Sequence, residues 1–157
     1  DLVRNDLSRI AQKGSVSVDE LFGIYEFAHV FQMISTISAT LKENIMFTDI
    51  LKALFPAGSM TGAPKISAMK IIEETESFKR GLFSGTVGYI DPNGDFDFNV
   101  VIRSVLYNEE TKTALIPAGG ALTVKCNALD EYNECILKAQ ANLDLLALTT
   151  VAFEKAE

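Results

Sequence analysis

The chain has 157 residues, enough for one domain with a core of its own. Apolar residues make up 48% and charged residues 22%, the balance of an ordinary globular protein. A net charge of −7 with no basic tract excludes nucleic acid and an anionic membrane surface as expected partners.

No stretch approaches the ~18 apolar residues needed to cross a bilayer, and nothing resembles a signal peptide. A small anionic substrate is not excluded, because it meets only the local field of its pocket. Cys126 and Cys135 are the only cysteines. Without a metal-like partner set they read as reduced thiols of a cytoplasmic protein rather than as a disulfide.

The opening "DLVRNDLSRIAQKG" begins as though inside a helix. Leu2, Val3, Leu7 and Ile10 have helical spacing, and Gly14 suits the position just past a helix end. Residues 15–41, "SVSVDELFGIYEFAHVFQMISTISATL", are rich in β-branched and aromatic residues. Their alternation around Phe27, His29, Phe31, Met33, Ser35 and Ile37 predicts one long or bent strand.

Thr48 and Asp49 form a fair N-cap pair for a short helix carrying Ile50, Leu51 and Leu54, and Pro56 and Gly58 then break the chain. In "FPAGSMTGAPKISAMKIIEE" a second helix starts near Pro64, with Ile66, Met69, Ile71 and Ile72 as its buried stripe and Gly81 as its stop. A hydroxyl, glycines and a lysine at a helix start suit either capping or an anion held by backbone amides.

Three strands are expected next: "LFSGTVGYI", "FDFNVVIRSVLY" and "KTALIPAGGALTV". The "DPNG" and "NEET" turns between them imply antiparallel neighbours. "NALDEYNECILKAQANLDLLAL" reads as a closing helix, with Asn127 as N-cap and Leu129, Ile136, Leu137, Leu143 and Leu146 as core positions. The order of elements predicts an α+β fold with an antiparallel sheet, in one domain.

Few residues stand out as chemistry. Glu131, Glu134 and Lys138 fall at i, i+3 and i+7, one narrow stripe of the last helix. That stripe is either a solvated face with an ion pair or a metal-binding carboxylate with a lysine for an anionic ligand. Arg103 interrupts an apolar strand. It either binds a carboxylate or faces solvent opposite an acid. Gly119 and Gly120 mark a bulge or the close approach of a ligand to backbone. His29, the only histidine, has no motif that would make it a catalyst.

The order of these blocks is more informative than any one of them. "DLVRND", "FPAGSMTGAPK", "GTVGY", "IRS", "AGGALT" and "EYNECILKA" follow one another as they do in the chorismate-using enzymes, and from Asp1 to about Leu146 the chain resembles that family. The family includes anthranilate synthase component I, isochorismate synthase and aminodeoxychorismate (para-aminobenzoate) synthase component I. "GDFDFNVVIRS" and the double glycine of "PAGGALT" resemble the aminodeoxychorismate branch.

This resemblance implies a set of roles. Glu134 matches a Mg²⁺-binding glutamate, with Glu131 at a metal-proximal position. Lys138 matches a lysine near the substrate carboxylate and the metal, and Arg103 an arginine for a chorismate carboxylate. Gly119 and Gly120 match backbone contacts to substrate, and Ser59 and Thr61 the hydroxyls of a ligand-facing loop.

Two positions depart from the pattern. Gln32 stands where many members have a catalytic histidine, three residues from His29, and Phe83 stands where a tyrosine is common. The resemblance further implies a two-sheet fold and a glutamine amidotransferase subunit as partner. A second metal-binding glutamate and a "PIKGT" stretch would lie upstream of Asp1. The chain is accordingly expected to be the C-terminal part of a chorismate-binding catalytic domain. With its apolar strand faces uncovered, it is expected to self-associate. The implied activity is Mg²⁺-dependent amination of chorismate at C4 for para-aminobenzoate and folate synthesis. Anthranilate synthase component I and a catalytically silent chorismate-binding piece are the alternatives.

Overall fold

The computed structural model describes residues 1–27 and 31–146, which divide into two units between Glu76 and Ser77. In the first unit, α1 (Leu2–Ser8) stops at Arg9, well short of Gly14. The chain instead makes a turn in which the Ser15 amide donates to Gln12 O (3.1 Å), and Gly14 sits there at φ +81°.

β1 (Ser17–Glu26) and β2 (Phe31–Ser38) then form an antiparallel hairpin, paired from Ser17↔Ser38 to Glu26↔Phe31. One long strand was expected, and two are found. Alternating apolar residues read the same along one strand as along two arms, and no Asn-Gly or Pro-Gly signal separates them. His29 lies outside the described residues. β1 is also irregular. Its register shifts twice between Val18 and Gly23, where Phe22 takes φ +58° and donates its amide to Ser35 Oγ (3.0 Å). Much of the hairpin's apolar surface is exposed, Ile24 and Phe31 included.

α2 (Phe47–Leu54) begins at Met46, earlier than the Thr48–Asp49 pair suggests, because Asp49 acts from inside the first turn. Its carboxylate accepts the Met46 amide (3.2 Å), tying down an amide with no helical partner. Ile50 and Ala53 share a helix face and pack with Ile10 as the buried core of this unit, flanked by Ile45 and Leu54. A short 3₁₀ turn, Gly58–Met60, leads into α3 (Lys65–Thr75). The stripe expected to be buried on α3 is not: Ile66 and Ile71 are exposed, Met69 and Ile72 half-buried. The helix ends at Thr75, before Gly81.

In the second unit, β3 (Thr86–Ile90) and β4 (Phe96–Val100) form an antiparallel hairpin around the expected "DPNG" turn. β5 (Leu106–Asn108) and β6 (Thr113–Leu115) form another around "NEET". The expected three-strand meander is thus two separate hairpins, because its middle strand breaks. Val101 still pairs, accepting from the Ser84 amide (2.9 Å) and donating to Gly85 O (3.0 Å). Two residues on, Arg103 sits at φ +49°, which no strand ladder accommodates.

α4 (Ala128–Leu145) starts as expected, Asn127 Oδ1 accepting the amides of Leu129 (2.9 Å) and Asp130 (3.3 Å). Of its predicted core positions Leu143 is buried and Ile136 half-buried, whereas Leu129, Leu137 and Leu146 are exposed. Phe83 and Val101 are the other buried apolar residues of this unit. All strand pairs among the described residues are antiparallel and helices accompany them, so the α+β expectation holds. No helix is long and apolar enough to cross a membrane, among the described residues.

Candidate functional site

The helical repeat of α4 puts Glu134 and Lys138 one turn apart, and their side chains form an ion pair at 2.6 Å. Lys138 Nζ also donates to Gly119 O (3.1 Å) and so ties the glycine segment to the helix. An ammonium has three donors, so two are committed and one is left for a ligand.

Glu131, one turn earlier, turns its carboxylate toward the same segment. Its Oε2 is buried and accepts no hydrogen bond among the described residues. A side chain built on Gly120 would place Cβ 2.8 Å from that oxygen and 3.8 Å from Cys135 Sγ. One built on Gly119 would meet only the Phe83 ring, at 3.9 Å. Phe83 is itself buried, and the Arg80 guanidinium carbon lies 5.9 Å from its ring centroid. Phe83, distant in sequence, thus joins Gly119, Gly120, Glu131, Glu134 and Lys138 in one neighbourhood.

Gly119 and Gly120 form no strand bulge, since β6 ends at Leu115. What comes close to Gly120 is the chain's own Glu131 carboxylate. Arg103 faces solvent, as one of its two readings had it, but with no acid opposite it among the described residues. It is exposed in the break between β4 and β5 and makes no hydrogen bond or ion pair among the described residues.

A divalent cation can be tested against this donor set. Among the described residues no three His, Cys, Asp or Glu side chains are grouped for a metal. Mg²⁺ needs fewer from protein, often one or two carboxylates with water and substrate oxygens completing its shell. Two acids one turn apart, one with a buried oxygen lacking any donor, fit such a partial site.

The first unit carries the other singled-out positions. Ser59 is exposed within the 3₁₀ turn. The Thr61 hydroxyl faces back and donates to Ala57 O (3.1 Å) and Gly58 O (3.3 Å), so here it closes its own turn. Gln32 is exposed on β2 opposite Tyr25, its amide 3.4 Å from Met33 O.

Sequence reasoning missed what holds this loop. Asp6 is buried; its Oδ1 lies 2.6 Å from Lys65 Nζ and its Oδ2 accepts the Gly58 amide (3.0 Å). Lys65 Nζ also donates to Ala53 O (3.4 Å). Both residues belong to blocks singled out in the sequence, but nothing local pairs them.

The family described as chorismate binding enzyme matches residues 1–144. The chain belongs to that family.

Among relatives of this chorismate binding enzyme chain, the chloroplastic aminodeoxychorismate synthase of Arabidopsis thaliana is 44% identical over 90% of the chain. Anthranilate synthase component 1 of Mycolicibacterium smegmatis is 41% identical over 98% of it. The crystal structure of anthranilate synthase component I from Streptococcus pneumoniae superposes with a TM-score of 0.75 at 35% identity, over 90% of the chain. The fold is therefore that of the matched part of anthranilate synthase component I. The chain spans only 15% and 29% of the length of the two curated relatives, and 32% of the solved one.

Proposed function

We propose that this chain supplies part of the active site of a Mg²⁺-dependent aminodeoxychorismate synthase component I. In this reading ammonia from a glutamine amidotransferase subunit takes the place of the C4 hydroxyl of chorismate. The hydroxyl leaves as water and the enolpyruvyl ether stays. The observation that carries the reading is the gathering of Gly119, Gly120, Glu131, Glu134 and Lys138 around one face of α4.

Each side chain then has a task its environment suits. Glu131 and Glu134 would hold the metal, which when bound supplies a Lewis acid at a ligand oxygen. Lys138, oriented by Glu134 and Gly119 O, presents its remaining N–H to a ligand carboxylate. Arg103 has no partner among the described residues, so its planar fork binds a second carboxylate without breaking an existing pair. The Gly119 and Gly120 backbone admits the ligand, with Phe83 as an apolar floor beneath Gly119. These contributions are positioning and electrostatics.

Relatives of both branches stand at similar identity, so the branch rests on particular residues. Gln32 carries a neutral amide that cannot exchange a proton near neutral pH as an imidazole does. That suits a reaction in which pyruvate is not eliminated. The "DFNVVIRS" and "PAGGALT" blocks point the same way.

The test is to incubate the intact protein with chorismate, ammonium and Mg²⁺, following released pyruvate and product mass. An aminated product that retains its enolpyruvyl group, with no pyruvate and no turnover in a chelator, is expected. Pyruvate with fluorescent anthranilate would assign the other branch. Binding without turnover would make the chain a silent chorismate binder.

A further inference from the structure

Gly119 and Gly120 look interchangeable in sequence, and neither has a φ in the left-handed region, so neither is glycine for its backbone conformation. Their surroundings differ. At Gly119 a methyl group would find ordinary contact, 3.9 Å from the Phe83 ring. At Gly120 it would fall 2.8 Å from Glu131 Oε2, nearer than a carbon and an oxygen can approach.

We propose that Gly120 is a positioning residue whose missing side chain seats the carboxylate of Glu131. Its consequence for metal binding rests on the function proposed above, whereas its cause is geometric and needs no ligand.

The surroundings decide which group would move. The Glu131 backbone carbonyl is 3.8 Å from the built Cβ, an ordinary contact, so the helix itself is not pushed. Lys138 anchors Gly119 O to α4, so the glycine segment is not free to retreat. The carboxylate at the end of a rotatable side chain is what yields. A side chain at 120 would therefore turn Glu131 Oε2 out of its buried place, and the same change at 119 would leave it there.

The experiment uses the intact protein with ¹³C-labelled glutamate, the Glu131 carboxyl resonance being assigned by its loss in Glu131→Gln. Without metal, Gly120→Ala is expected to shift that resonance and Gly119→Ala to leave it in place. No shift in a folded Gly120→Ala, or equal shifts in both, overturns the proposal. Calorimetric titration with Mg²⁺ then reads the consequence. Affinity should fall at least about tenfold in Gly120→Ala and less than about twofold in Gly119→Ala, the scale of altered support behind a metal ligand. Adding Gly120→Ala to Glu131→Ala should weaken binding no further. If Mg²⁺ fails to bind the unaltered protein, the metal reading falls while the metal-free resonances still decide the role of Gly120. If Gly120→Ala does not fold, Gly120→Ala with Glu131→Ala separates the causes. Folding regained there supports the collision with Glu131, and folding still lost refutes it.

Discussion

Removing one member of the Asp6–Lys65 pair should destabilise the first unit severely, and removing both should not. The two side chains are only 5% and 9% exposed and their charged atoms lie 2.6 Å apart. Lys65→Met leaves a buried carboxylate without its counter-charge, which costs ~3–5 kcal/mol. Asp6→Ala strands the ammonium in the same way and also deprives the Gly58 amide of its acceptor, a further ~1–3 kcal/mol.

Against a domain stability of ~5–15 kcal/mol, the aspartate variant would sit near the edge of folding. The double variant, Asp6→Leu with Lys65→Met, fills the same space with apolar groups, and such exchanges are often neutral or stabilising. The Gly58 amide and the Ala53 carbonyl are then left wanting. Urea unfolding of the four proteins, with hydrogen exchange at the Gly58 amide, gives the cycle. The double variant should be at least ~2 kcal/mol more stable than the sum of the single losses predicts. Additive losses, or single losses below ~1 kcal/mol, would refute the view that this pair is held together by burial.

Three further outcomes are expected. Asn127→Ala should cost ~1 kcal/mol and speed amide exchange at Leu129 and Asp130, the two N–H groups it caps. Arg103→Ala should leave the unfolding free energy from urea titration within about 0.5 kcal/mol of the original, because the side chain is exposed and unpaired among the described residues. On the function proposed above, the same change should raise KM for chorismate in the intact protein about 10- to 100-fold, the worth of charge-assisted bonds at ~1.5–3 kcal/mol. The Tyr25 phenol is held above its ordinary pKa by its hydrogen bond to the Glu20 carboxylate, then by that group's charge and by desolvation. With the folded value raised, its contribution is full below about pH 10 and lost as pH rises through the raised value. Ultraviolet titration should show Tyr25 ionising at lower pH in Glu20→Gln than in the unaltered protein.

The sequence by itself determined what depends on near neighbours. The Asn127 cap, the "DPNG" and "NEET" reversals and the spacing that stacks Glu131, Glu134 and Lys138 on one face of α4 all follow from local geometry. So does the order of blocks that marked the family, since a block is a local string.

Tertiary structure decided whatever depends on residues distant in the chain. A period of two cannot tell a long strand from a hairpin, and only the pairing of β1 with β2 separates them. An apolar stripe states that a helix could be buried, and only the packing leaves Ile66 and Leu137 exposed. Arg103 sat in a run of strand formers, yet pairing with residues 84–86 ends at Val101 and the chain turns there. Asp6 and Lys65 have no sequence relation, and their bond exists because α1 packs where the 3₁₀ turn begins. In sequence Gly120 is one of a pair marking a bulge or a ligand contact, and only the fold puts the Glu131 carboxylate where its side chain would be. In each case the deciding force is steric or electrostatic contact across space, which a one-dimensional pattern does not carry.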